Sequence, residues 1–183
     1  MQNDSGERPT RSLARPRTSG DGATSAILGA LPRSEWTVFD GVRIEGRRTQ
    51  HQVAVGPQGV FVVESRQRTR VPGREALRPG GVRQDVVVAA VRAAAAVGAR
   101  TGLVEARHVT PVVCFVGREV DPVVAGDVVI CSSRNLLAVL TTGLPVLDAD
   151  VRQLVALDLD TSIGTSPRTA PRRRWLGTAN RAR

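Results

Sequence analysis

The chain has 183 residues, 41% of them hydrophobic but only 3% aromatic, with three Phe, two Trp and no Tyr. That length suits one packed core better than two, the core must be built from Val, Leu, Ala and Ile, and a base-stacking platform is hard to assemble from so few rings. All 26 Lys+Arg residues behind the net charge of +9 are Arg, which stays protonated, so chemistry that needs a titrating amine is excluded for this chain acting alone.

The charge is unevenly placed. Residues 1–20 carry +2, residues 164–183 carry +6 through Arg168, Arg172, Arg173, Arg174, Arg181 and Arg183, and the segment between them carries only +1. Both ends are rich in Arg, Ser, Thr, Pro and Gly and poor in large apolar side chains, so neither can offset the entropy of ordering. The expected organisation is a disordered arm over 1–20, one domain over 21–160, and a basic disordered tail over 161–183.

In chain order, residues 23–31 form a short apolar helix closed by Pro32. Trp36 to Ile44 alternates as a first strand, interrupted at Gly41. Gln52–Val55 and Val60–Glu64 are β-branched runs joined by Gly56-Pro57-Gln58-Gly59, the pattern of a hairpin whose glycines supply the turn's backbone angles. Residues 72–83 hold two Pro and three Gly and read as loop. The stretch 84–100 is too long and Ala-rich for a strand, and is predicted as a helix that turns Val87, Ala90, Val91 and Ala94 to the core. Strands follow at Val109–Val116 and Asp127–Cys131. Ser132 or Ser133 then opens a helix through Leu140, and Asp148 opens another through about Leu157. This order predicts a single α/β domain with a central mixed β-sheet flanked by helices.

Cys114 and Cys131 fall in Val/Ile-rich runs without CxxC spacing, and are expected to be buried free thiols. The first ten residues lack a secretory apolar stretch, and no window approaches the roughly 18 apolar residues of a membrane span. The expectation is a soluble cytoplasmic protein with no membrane partner. No GxxxxGK[ST] or strand-anchored GxGxxG is present.

The stretch from Gln50 to Arg66, with its strand, Gly-Pro-x-Gly turn and apolar strand ending in acid-x-base, resembles the most distinctive segment of the nuclease-related (NERD) family. Further counterparts, from the first helix to the segment Val128–Leu140, extend the resemblance over about residues 20–158. It implies a restriction-endonuclease-like fold of the PD-(D/E)xK kind. In such a site two carboxylates hold Mg²⁺ through hard oxygens, and a lysine orients or deprotonates the attacking water. Carried over, the first carboxylate falls on His51, the second on Glu64 and the lysine on Arg66, while an acid of the first helix falls near Asp21.

Of the three central positions, His51, Glu64 and Arg66, only Glu64 keeps its type. His is a nitrogen ligand that Mg²⁺ disfavours, although Mn²⁺ or Zn²⁺ accepts it, and Arg binds phosphate but is a poor proton acceptor. The resemblance therefore implies a catalytically degenerate nuclease-fold domain, with DNA or RNA phosphates contacted by Arg66, Arg172, Arg173 and Arg174. Two alternatives stand beside it: an active Mn²⁺- or Mg²⁺-dependent nuclease using Glu64, Asp21 and His51, and a non-enzymatic interaction module. Plainer readings also exist: Glu64 as a solvated strand-end charge, His51 as an ordinary polar residue, Arg66 as its surface partner, and His108 as a loop residue.

Overall fold

The computed structural model describes residues 20–44, 50–67 and 84–163. Of the expected arm over 1–20 and tail over 161–183, residues 1–19 and 164–183, like the expected loop at 72–83, lie outside the described residues, whereas Gly20 opens a helix and residues 161–163 end one. Six strands form one mixed sheet: β1 (Thr37–Arg43), β2 (Gln50–Gly56), β3 (Gly59–Gln67), β4 (Val109–Val116), β5 (Val123–Ala125) and β6 (Val128–Ser132), in the spatial order β1-β2-β3-β4-β6-β5. The helices are α1 (Gly20–Leu28), α2 (Gln84–Arg100), α3 (Leu136–Thr141) and α4 (Ala149–Ile163), with one 3-10 turn at Ala106–His108. None is long and apolar enough to cross a membrane.

The expected hairpin is present. β2 and β3 pair antiparallel, with Gly56 opposite Gly59 across Pro57 and Gln58. β1 adds antiparallel to β2, and its register slips by one residue between Phe39 and Val42, at Gly41 (φ 68°). The extra residue is a β-bulge, which lets Phe39 and Val42, three apart, both enter one core. β3 and β4 are parallel, a pairing that needs a long crossover, and α2 lies within the connection between them. β4 and β6 are also parallel, and β5 closes the far edge antiparallel to β6.

Strand alternation sorts the Val-rich sequence onto two faces. Val53, Val55, Val60 and Val62 meet Ala93, Ala94 and Val97 of α2 and Val155 and Leu159 of α4 on one face. Ala54, Phe61, Val63, Val112, Cys114 and Cys131 meet Leu28 of α1 and Leu136 and Leu140 of α3 on the other. Because both faces are covered, the central strands read as continuous apolar runs.

Several local expectations need correction. α1 begins at Gly20 and ends at Leu28, earlier than the 23–31 span, with Leu31 buried just beyond it. α2 has the expected extent and buries Ala90 and Ala94 as expected, with Val87 partly buried, but Ala93 and Val97 complete its inner face while Val91 is 37% exposed. β5 is a strand that composition did not announce. Neither Ser132 nor Ser133 caps α3. Ser132 ends β6, the Ser133 amide donates to the Phe115 carbonyl at 2.9 Å, and Asn135 precedes the helix instead. Asp148 does cap α4, its Oδ1 accepting from the Val151 amide at 2.8 Å, and that helix runs on to Ile163. The amides of Val146 and Leu147 both donate to the Pro57 carbonyl, which docks the α3–α4 connection on the β2–β3 turn.

Candidate functional site

Alternation along β2 and β3 decides which polar side chains meet. Gln52 is opposite Val63, so one step further along the ladder sets His51 opposite Glu64 on the face that α2 and α4 cover. Both are buried, His51 to 3% and Glu64 to 2% exposure. Arg66 follows on the same face of β3, level with Phe115 of β4, and its guanidinium folds back to form an ion pair with Glu64. A carboxylate removed from water is costly unless it is paired, and Arg66, 41% exposed, pairs with it from the solvent side.

The structure thus brings His51, Glu64 and Arg66 together. Asp21 lies in the first turn of α1, whose buried Leu28 packs on the opposite face of the sheet with Ala54, Phe61 and Val63. The side chain of Asp21 and the whole of Arg172, Arg173 and Arg174 lie outside the described residues. Among the described residues, no group of three or more His, Cys, Asp or Glu could hold a metal ion. The donor set at His51 and Glu64 does not fit Mg²⁺, which takes near-octahedral oxygen ligands; it offers one carboxylate, already engaged by a guanidinium, and one imidazole. His108 lies in the 3-10 turn before β4, half-buried, as a connection residue.

A second polar group, which motif reading passes over, occupies the other face. Ser65, between Glu64 and Arg66 in sequence, points to the α1 side, where its Oγ lies 2.7 Å from Thr24 Oγ1 and 3.2 Å from Gln52 Oε1. Thr24 and Gln52 are buried to 0% and 1%. Across the sheet Ser65 is level with Cys114, and Cys114 with Cys131, so these three make one row under α1. Both cysteines are free and fully buried, as their surroundings in sequence suggest. The Cys131 thiol beside it holds Cys114 below the usual thiol value, with help from the Thr24 hydroxyl and against the upward push of burial. The hydrogen bond to Cys114, burial and the charge on Cys114 all push Cys131 up. The signal in the sequence was Gln52 and Ser65 themselves, uncharged polar residues inside strands that are otherwise apolar.

A groove of about 760 Å³ lies between α2 and the N-terminal end of β4, floored by small residues such as Ala94, Gly98 and Ala99. Glu64 and Arg66 lie level with Val113 and Phe115, further along β4. No family model, no curated protein and no solved structure matches this chain.

Proposed function

We propose that the chain is a catalytically degenerate nuclease-fold domain of the nuclease-related kind, cytoplasmic, which contacts nucleic-acid phosphates without cutting the backbone. The observation that carries this reading is the ion pair of Glu64 with Arg66. A guanidinium occupies the carboxylate that a metal would need, and it is a base that does not accept a proton at neutral pH. His51 stands at the opposed strand position, where the family resemblance asks for a second carboxylate. Two neighbouring free thiols suit a reducing compartment, and the Arg-rich segment 164–183 supplies a charge complement for phosphates.

The test is a cutting assay on labelled double-stranded and single-stranded DNA and RNA, with Mg²⁺ or Mn²⁺ and with EDTA, for the full chain and Glu64→Ala. Retention of the nucleic acid at low salt with no metal-dependent cutting is the expected result. Cutting in Mn²⁺ that both EDTA and Glu64→Ala abolish would replace this reading with an active metal nuclease. Absence of both cutting and low-salt binding would leave the fold as a scaffold for a non-nucleic-acid partner.

A further inference from the structure

We propose that Cys114 and Cys131 are a dithiol–disulfide pair, oxidised within the folded domain by a hydroperoxide and restored by a dithiol. Three features of the α1 face support it. The two residues are opposite one another on adjacent parallel strands and point to the same side. Neighbouring strands lie about 4.8 Å apart, inside the roughly 4.4–6.8 Å Cα separation that disulfides span. The pair is also asymmetric, because Thr24 from α1 is hydrogen-bonded to Cys114, and Thr24 is itself bonded to Ser65.

That asymmetry assigns the roles. Cys114 is the middle residue of the row, between Ser65, whose Oγ is bonded to Thr24, and Cys131, and the Cys131 thiol and the Thr24 hydroxyl hold its thiol below the usual value against the push of burial. It is the nucleophile, and Cys131 is the resolving thiol. The Cys114 sulfur attacks one peroxide oxygen, the O–O bond breaks, and a first water leaves with Cys114 as the sulfenic acid. The Cys131 sulfur then attacks the Cys114 sulfur, the S–O bond breaks, and a second water carries off the hydroxyl with the Cys131 proton. The two thiols together lose two protons and two electrons, which reduce hydrogen peroxide to two waters.

Burial sets the selectivity. Both sulfurs are fully covered, and α1 lies over them through Thr24, Leu28 and the Ser25–Asp40 hydrogen bond. A molecule the size of hydrogen peroxide can reach such a site during small openings of α1, whereas a bulky reagent such as a dithiol reaches it only in the wider opening that follows once the disulfide has closed. Closing the disulfide removes the Cys131 hydrogen bond to Cys114 and the thiolate that Thr24 supports, so oxidation weakens the hold of α1 on the sheet.

The full chain is treated with hydrogen peroxide, and its intact mass and cysteine-linked peptides are read before and after reduction. The expected product is about 2 Da lighter, contains a Cys114–Cys131 linked peptide, and reverts with dithiothreitol. Cys131→Ser should stop at a trappable sulfenic acid on Cys114, Cys114→Ser should react on the order of tenfold more slowly, and Thr24→Val should slow the native chain several-fold. Circular dichroism of each variant establishes that it is folded. If the folded chain keeps both thiols while the guanidinium-unfolded chain forms the disulfide, the thiols are inert core residues and the proposal is overturned. Stepwise gain of oxygen without the linked peptide overturns it as well.

Discussion

Gly56 lies directly against the face of the Trp36 indole: a Cβ built at Gly56 would drive into three of its ring carbons. The same Trp36 tilts against Phe61, with ring centroids 6.0 Å apart. Gly56 is therefore glycine for lack of room. Gly59, at the other end of the turn, is glycine for two reasons, since its φ is +134° and an added Cβ would sit 2.7 Å from the His108 carbonyl oxygen. Gly56→Ala should cost about 1–3 kcal/mol, because overpacking moves a buried ring off its rotamer. Trp36→Leu in the Gly56→Ala background should recover part of that loss, read as a coupling energy in a double-mutant cycle by urea denaturation. Additive effects would show that the two residues do not press on one another.

The second prediction separates the two faces of α2. Val97 is fully buried among Val60, Val62 and Ala94, whereas Val91 is 37% exposed on the outer side. Val97→Asp places an unpaired charge in the core and should cost several kcal/mol, on the order of 4. Val91→Asp should cost about 1 kcal/mol or less, because its carboxylate reaches water. Equal losses in thermal or urea unfolding would mean that α2 is rotated from the orientation described.

Asn135 carries the third. Its Oδ1 accepts from the Ser132 amide at 2.9 Å and its Nδ2 donates to the Val120 carbonyl at 2.8 Å, so one side chain ties the end of β6 to the β4–β5 connection. Asn135→Ala removes both bonds and should lower stability by about 1–3 kcal/mol, while Asn135→Asp, keeping the acceptor and losing the donor, should fall between Ala and the unchanged chain. Ser133→Ala should stay within about 0.5 kcal/mol. Denaturant midpoints check the ranking, and a larger loss at Ser133 than at Asn135 would contradict it.

What was legible in the sequence was what short-range physics encodes. The β2–β3 hairpin is marked by β-branched runs on either side of Gly-Pro-Gln-Gly, and α2 by an Ala-rich stretch too long for a strand. β5 carries no such mark, because three residues between Pro122 and Gly126 cannot show an alternation. On the inner face of α2, Ala90 and Ala94 were read correctly and Val91 was not: Val87 and Val91 make an apolar stripe in sequence, whereas the helix turns Ala93 and Val97 inward beside Ala90 and Ala94. The two-residue spacing of Glu64 and Arg66 places them on one face and suggests their pairing, but nothing local tells that Glu64 is buried rather than a solvated strand-end charge. Which face of the sheet α1 covers is likewise set by Leu28 and Leu31 packing with Phe61 and Val63, contacts between segments far apart in the chain. The row Ser65, Cys114, Cys131 exists only once three strands are in register.

The last prediction concerns the basic segment 164–183. If Arg168, Arg172, Arg173, Arg174, Arg181 and Arg183 contact phosphates, each contact releases condensed counterions, and about six of them imply a log–log slope of affinity against salt near −5 on duplex DNA. Such binding is indifferent to base sequence, because phosphate contacts position a protein without reading bases. A chain ending at Ile163 retains only a small net charge between residues 21 and 163, so it should lose most of the affinity and most of the slope. Glu64→Ala should leave both nearly unchanged, since a buried carboxylate paired with Arg66 adds no attraction to phosphate. Arg66→Ala provides the internal contrast: its guanidinium is 41% exposed beside Glu64, and its loss should lower the slope by about one contact at most. Fluorescence anisotropy of a labelled duplex, titrated at several salt concentrations for the four proteins, reads all of these quantities together. Equal low-salt affinity for the full and shortened chains would remove any role for the tail in binding.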